Sequence, residues 1–436
     1  MLFCLDKGRT RVYSRARPSF FHQMTKILAT RAEHHHIGAM VESPVTSLSE
    51  LENARLGLVL SGGGARGAFQ VGVWEVLTTH PKGLHGQLPT VISGTSAGAL
   101  NGALIAAGRT PREMLDFWLS LADKPPVIAN QGLFASVERA VGRLALAEPM
   151  RSFARRAREA RIAAGLIRKH PLHKASGRLA FALEYLLTAR FDSISSLLDG
   201  IDTNYLFSTA PIRERLVDAI GGHVVPPSEM ALAINTIDVR TGDVIRFVNH
   251  APHKHADSED AHYICGPITV DMVLASASIP ILFNSVRIGG RDLWDGGLLV
   301  NTPLAPTLAL GATHIIPVLV TAGRRSDTEK KLGFGDAIER LADAFLENAY
   351  NTDRKLLLER NRLARLRPEL EYTVAELFAP IRPTSSSTFN AGSYLYFERG
   401  ALLEMYESGR NAAMRWLARG PNFDRKPGTP TPHDDD

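Results

Sequence analysis

Leu56-Gly-Leu-Val-Leu60 leads into Ser61-Gly-Gly-Gly-Ala-Arg-Gly67, and Pro89-Thr-Val-Ile92 leads into Ser93-Gly-Thr-Ser-Ala-Gly98. Both stretches share one grammar. A short apolar run suits a buried strand, and a turn of glycine and small polar residues ends it. Each turn opens onto a run suited to a buried helix: Ala68, Phe69, Val71, Val73, Trp74, Val76 and Leu77 after the first, Ala99 to Ala107 after the second. Strand, turn and helix in alternation predict an α/β sheet with helices on its faces.

Outward from this pair, strand-like runs return at Met230-Ala-Leu-Ala-Ile-Asn235 and Val244-Ile-Arg-Phe-Val248, with Thr241-Gly242 between them as a hairpin turn. Val270 to Ser278 reads as a helix. Ser285 to Ile288, Gly289-Gly290 and Arg291 to Trp294 read as a second hairpin, and His314 to Val320 as another buried strand. Phe334 to Leu366 mixes charges with apolar residues at helical spacing. From about 125 to 221 the pattern is mostly helical and punctuated by prolines. Residues 1–50 form an Arg-rich extension with the run His34, His35, His36, read as a polar tail. Residues 421–436 carry Pro, Thr and an acidic end and are expected to be disordered. No internal repeat is visible.

The 436 residues are 44% hydrophobic and 22% charged, ordinary for a globular chain. A formal net charge of +5 is too slight to imply a nucleic-acid partner. Cys4 and Cys265 have no metal-type or disulfide spacing. The N-terminus lacks the apolar core of a signal peptide. The uncharged stretch 91–108 is long enough to suggest a membrane span, but its Gly, Ser, Thr and Asn content fits a strand-to-helix break better. The expected location is cytoplasmic or peripheral to a membrane.

Three motifs carry chemistry. Gly94-Thr95-Ser96-Ala97-Gly98 is a G-x-S-x-G, which presents a serine on a tight strand-to-helix turn. The following helix directs its first N–H groups at the site, favouring developing negative charge. Gly62-Gly63-Gly64-Ala65-Arg66-Gly67 fits two readings. One is a dinucleotide cradle, which expects an acid after the next strand to hold a ribose. None lies between Gly83 and Gly98. The favoured reading is an oxyanion hole, a nest of backbone N–H groups. Arg66 supports that loop or lies near a phosphate; the residues leave both open. Asp295-Gly296-Gly297 is by itself a common turn, yet a carboxylate there can face an opposing loop.

With these motifs in this order, the chain resembles the patatin-like phospholipase family. The small-residue stretch Ala275-Ser-Ala-Ser-Ile-Pro280 ahead of the Asp-Gly motif agrees. The resemblance runs from about 56 to 310. Many members have Asp before the glycine triplet, where this chain has Ser61. It implies a three-layer α/β/α patatin-like fold with a central, mostly parallel sheet and a helical insertion at about 125–221. It implies a catalytic domain at 56–310, with a strand and helices at 311–420 packing on it. It implies Ser96 as nucleophile, Asp295 as proton acceptor, the glycine loop as oxyanion hole, and fatty acyl ester hydrolysis without metal or cofactor.

A Ser–acid–His triad in the α/β-hydrolase order needs a histidine after Asp295. His314 opens a strand and His433 lies in the tail, so a dyad is expected. Residues 151–178 concentrate positive charge, including Arg151, Arg155, Arg156 and Arg158, with apolar residues interleaved. This suits either a solvated helix face or contact with an anionic lipid surface. The rival functions are a nucleotide-binding module using the glycine loop and a catalytically idle, membrane-associated regulator on the same fold. Oligomeric state and lipid head group are not legible.

Overall fold

The computed structural model describes residues 54–84, 86–123, 128–129, 205–253, 261–322, 334–370, 374–384 and 396–422, with isolated neighbours such as Leu48 and Tyr394. All belong to the compact unit Val45–Asp436. The strands are β1 (Leu56–Leu60), β2 (Val91–Gly94), β3 (Ile128–Ala129), β4 (Tyr205–Ser208), β5 (Ala231–Asp238) and β6 (Val244–Val248). They continue with β7 (Ala261–Cys265), β8 (Ile281–Phe283), β9 (Val286–Ile288), β10 (Arg291–Asp295), β11 (His314–Val318) and β12 (Glu376–Leu377). The helices are α1 (Gly67–Thr79), α2 (Ala97–Ala106), α3 (Pro111–Asp123) and α4 (Ala210–Ile220), then α5 (Val270–Ser276), α6 (Leu304–Ala309), α7 (Phe334–Leu366) and α8 (Arg399–Arg419).

The main sheet has the order β12-β11-β1-β2-β5-β10-β9, with β6 and β7 branching from β5. Strands β12, β11, β1, β2 and β5 are mutually parallel. β10 runs antiparallel to β5, as does β6. The sheet is therefore mixed and mostly parallel at its centre.

Period-two alternation sorts its side chains onto two faces. Leu58, Leu60, Ile92, Leu232, Ile234, Ile316 and Val318 pack into one core with Phe69, Leu104, Trp118 and Leu402 of α1, α2, α3 and α8. Their neighbours Val59, Val91, Ala231, Ala233 and Ile315 pack on the other side with Leu304 and Leu308 of α6 and Tyr350 and Leu357 of α7. Helices thus cover both faces, giving the α/β/α layering the resemblance implied. The layers sit close. A Cβ at Gly57 would come within 2.3 Å of Thr307 Cγ2. One at Gly72 would lie 2.0 Å from the Tyr406 carbonyl oxygen, and one at Gly409 2.0 Å from that of Phe69, so α1 and α8 touch backbone to backbone.

Both predicted hairpins form. Gly242 (φ 81°) closes β5–β6, and Gly289 and Gly290 (φ 57° and 81°) close β9–β10. The long helix spans Phe334–Leu366, as its periodicity predicts. The stretch 91–108 divides into β2 and α2 rather than spanning a membrane, and no described helix is long and apolar enough to cross one. The stretch 125–221 is not uniformly helical. Its described part contains β3 and β4, which join β8 in a second, three-stranded sheet. Tyr205-Leu-Phe-Ser208 is only four residues, too short for periodicity to separate it from helical surroundings. Arg151, Arg155, Arg156 and Arg158, the N-terminal extension before residue 47 and the tail beyond residue 422 lie outside the described residues.

Candidate active site

At the C-terminal end of β2 the chain turns sharply into α2, and Ser96 occupies the turn at φ 56°, ψ −122°. This region is sparsely populated by non-glycine residues and must be held by its surroundings. Glycines make it possible. A Cβ at Gly94 would fall 2.2 Å from the Gly98 carbonyl oxygen, and one at Gly98 2.1 Å from that of Leu60. Hydrogen bonds pin the rest. The Ser96 N–H donates to Ser276 Oγ (3.0 Å), whose hydroxyl donates to the Asn235 carbonyl (2.6 Å). Asn235 Nδ2 donates to the Gly94 carbonyl (3.2 Å), and Thr95 Oγ1 to that of Val300 (2.8 Å). Ala97 begins α2, so the helix N-terminus sits immediately beside Ser96.

Asp295 reaches the same place from the opposite direction. Gly94 pairs with Ile234 of β5, and Asp295 pairs with Thr236, two residues further along that strand. The carboxylate is thereby level with the turn beyond Gly94. Its backbone N–H donates to the Ser278 carbonyl (2.9 Å). Oδ1 accepts from the Gly297 N–H at 2.7 Å, capping the 3-10 turn Gly296–Leu298. Gly296 lies against β5, where a Cβ would be 2.5 Å from the Asn235 carbonyl oxygen. Only 4% of Asp295 is exposed. Burial raises its pKa to about 7, opposed by the hydrogen bond from the Gly297 N–H and by the nearby Ser96 side chain. The structure thus brings Ser96 and Asp295 to the same edge of the sheet, near enough for the hydroxyl to influence the carboxylate.

The glycine loop flanks this pair. A Cβ at Gly62 would lie 3.1 Å from Ser96 Cβ and 2.5 Å from Asn301 Oδ1. Gly63 abuts Val320, and Gly64 (φ 55°) abuts the Tyr394 carbonyl oxygen. Ala65 is fully buried, and Gly67 starts α1 against Trp118 and Ala97. Behind the loop runs a buried polar chain. Gln70 Nε2 donates to the Ser61 carbonyl (2.7 Å), Asn101 Nδ2 to Gln70 Oε1 (2.9 Å), and Trp118 Nε1 to Asn101 Oδ1 (2.8 Å). Ser61 accepts the Val320 N–H on its hydroxyl (3.1 Å). Arg66 is fully buried, and its guanidinium is held by protein groups.

His314 is not part of this assembly. It pairs with Leu56 at the start of β1, whereas the turn before Ser96 is level with Leu60 at the other end. Four strand residues at roughly 3.3 Å each separate the two edges. A cavity of about 400 Å³ lies at the far end of α2 and is lined by Arg109, Glu113, Asp116, Arg215 and Asp218. Its lining includes neither Ser96 nor Asp295.

A model of the patatin-like phospholipase family matches residues 58–308, more than half of the 436. The chain belongs to the patatin-like phospholipase family. Among solved structures, VipD from Legionella pneumophila is similar at 16% identity and a TM-score of 0.35, over 85% of this chain and 68% of that one. The type III effector protein ExoU is similar at 16% identity and a TM-score of 0.27, over 84% of this chain and 53%, about half, of its own length. A search of curated proteins found no match. Within this patatin-like framework, the sequence reading missed Asn235, Ser276, Gln70, Asn101 and Asn301. Each is a buried polar residue in or beside an apolar element, and that mismatch is the signal that could have found them.

Proposed function

We propose that this chain hydrolyses fatty acyl esters of lipids, in the manner of a phospholipase A, lysophospholipase or lipase, as a serine esterase with a Ser96–Asp295 dyad. The observation that carries this reading is the convergence, at the C-terminal edge of the sheet, of Ser96 on its strained turn and the buried carboxylate of Asp295. Ser96 Oγ attacks the acyl carbonyl and its proton passes to Asp295. Backbone N–H groups of the Gly62–Gly67 loop and the α2 N-terminus hold the oxyanion. Collapse expels the alcohol, which takes the proton from Asp295 and leaves an acyl-Ser96 ester. Water then gives a proton to Asp295 and attacks that ester. The fatty acid departs and Ser96 regains its proton.

A lone carboxylate at its usual pKa near 4 is a poor base. Burial lifts Asp295 to about 7, close to the pH at which general-base catalysis works best. The nucleotide reading of the glycine loop is disfavoured, because no acid lies between Gly83 and Gly98 to hold a ribose. The idle-regulator reading is disfavoured because Ser96 and Asp295 are both present and meet at the same edge of the sheet. We read 56–310 as the catalytic domain, acting at a membrane surface. Arg151, Arg155, Arg156 and Arg158 are assigned from sequence to anionic lipid, so binding to anionic liposomes should weaken with salt.

The test is cleavage of p-nitrophenyl esters and of phospholipid vesicles, followed by lipid mass spectrometry. Ser96→Ala and Asp295→Asn should each lose about 10³-fold or more in kcat. Wild-type cleavage by Ser96→Ala would end the proposal.

A further inference from the structure

The family match ends at residue 308, yet the glycine loop is closed by groups that lie beyond it. Val320 fills the space beside Gly63, where a Cβ would fall 2.2 Å from its Cγ2. The carbonyl oxygen of Tyr394 lies where a Cβ on Gly64 would come within 2.0 Å, and Gly64 is already in the left-handed region at φ 55°. Arg66 ties the two sides together. Its Nη1 donates to the Val320 carbonyl (3.3 Å) and to Asp343 Oδ1 (3.0 Å), and its guanidinium carbon stands 3.7 Å from the centre of the Tyr394 ring. The Tyr394 hydroxyl donates to the same Asp343 oxygen at 2.5 Å. One carboxylate oxygen on α7 therefore receives a donor from the glycine loop and another from Tyr394.

We propose that Asp343 and Tyr394 are positioning residues that fix the Gly62–Gly67 loop, so that the region after residue 308 completes the site for oxyanion binding. The proposal rests on the hydrolase reading above. Arg66 is the middle of this latch. Stacking, an ion pair and a carbonyl hydrogen bond hold its guanidinium within the fold, and no part of its side chain is exposed to solvent. It therefore shapes the loop instead of reading a lipid phosphate. A charge-assisted contact of this kind is stronger and more directional than a neutral one. Loop N–H groups act on the oxyanion, which exists only in the transition state and the tetrahedral intermediate. Loosening the latch therefore lowers kcat and leaves KM alone.

The experiment uses the full chain and p-nitrophenyl butyrate. Tyr394→Phe keeps the ring and backbone and removes one hydroxyl. Asp343→Asn keeps the shape and removes the charge. Expected are losses in kcat of about tenfold for Tyr394→Phe and about a hundredfold for Asp343→Asn, the scale of a displaced or lost oxyanion donor. KM should stay within about twofold, with the pH inflection unmoved, because Asp295 is untouched. Thermal melting and titration of Ser96 with a fluorophosphonate report the folded fraction. Wild-type kcat in both variants overturns the proposal, as does a loss of kcat that only follows a loss of folded, titratable protein. If Ser96→Ala abolishes cleavage while both variants remain fully active, the positioning role alone falls. If Ser96→Ala stays active, both readings fall together.

Discussion

The two ends of the parallel strands make an instructive comparison. At their C-terminal ends, Leu60 feeds the glycine loop, Gly94 feeds the turn at Ser96, and antiparallel β10 delivers Asp295 to the same edge. At their N-terminal ends there are polar residues too, but they close turns. The Thr90 N–H donates to the Leu56 carbonyl (2.8 Å), the Arg55 N–H to Thr313 Oγ1 (3.0 Å), and Arg55 Nη2 to the Leu310 carbonyl (3.2 Å). One end spends its polar groups on satisfying backbone. The other brings Ser96 and the buried carboxylate of Asp295 together beside a helix N-terminus. This asymmetry is the general one of parallel α/β sheets, where ligands bind outside the carboxyl ends of the strands.

The comparison breaks most severely where backbone meets backbone. Gly98→Ala would place a methyl 2.1 Å from the Leu60 carbonyl oxygen, which cannot swing aside as a side chain would. It should destabilise the fold by about 3 kcal/mol and abolish activity. Gly289→Ala is the matched control. Nothing lies within 4 Å of its would-be Cβ, and its cost is only that of φ 57° in an L-residue, about 1 kcal/mol. Urea denaturation of both measures the difference. Equal losses would mean the turn at Ser96 is not the tight packing described.

The chemistry at the C-terminal edge should also be visible in pH. On the proposed mechanism Asp295 must be ionised to accept the Ser96 proton, and burial holds its pKa at about 7. kcat/KM for a soluble ester should therefore rise about tenfold per pH unit below 7 and level off above it. A plateau reaching down to pH 5 would show that the base is another group or that the carboxylate is solvated.

The same burial has an opposite effect on stability. Below the ordinary pKa of 3.8 both folded and unfolded chains hold the Asp295 proton. Between 3.8 and about 7 the fold retains a proton that the unfolded chain has released, so stability falls as pH rises, and it is level above about 7. Asn at this position carries no such charge. Asp295→Asn should therefore melt higher than wild type at pH 8, with the gain shrinking toward pH 4. A gain that is constant across this range would remove buried charge as its cause.

Much of this was legible in the chain because the decisive features are local. Gly94 to Gly98 declare their turn by spacing, and Asp295 is flagged by the glycines that follow it and by the family resemblance. What was not legible depends on contacts across long separations. Gly72 and Gly409 look like ordinary helical glycines, and only the packed pair of α1 and α8 explains either. Asp343 sits among many charges on α7, and nothing in its neighbourhood marks it as the partner of Arg66, 277 residues away. The strand Tyr205–Ser208 is too short to show a period and is fixed by its partners in β3 and β8.

The smallest expected effect tests the other end of the sheet. His314 Nδ1 lies 3.0 Å from Thr313 Oγ1, and its ring tilts against Phe378 with centroids 6.2 Å apart. Those contacts make it a strand-entry residue packed under the C-terminal segment, four residues along the sheet from the level of Ser96. His314→Ala should therefore leave kcat and KM within about twofold of wild type and lower stability by about 1 kcal/mol through lost packing. The two readouts separate the two ends, because a triad base would cost several orders of magnitude in kcat without a matching change in melting. A large kcat loss in a well-folded His314→Ala protein would carry catalysis to the N-terminal edge, and the contrast between the ends would no longer hold.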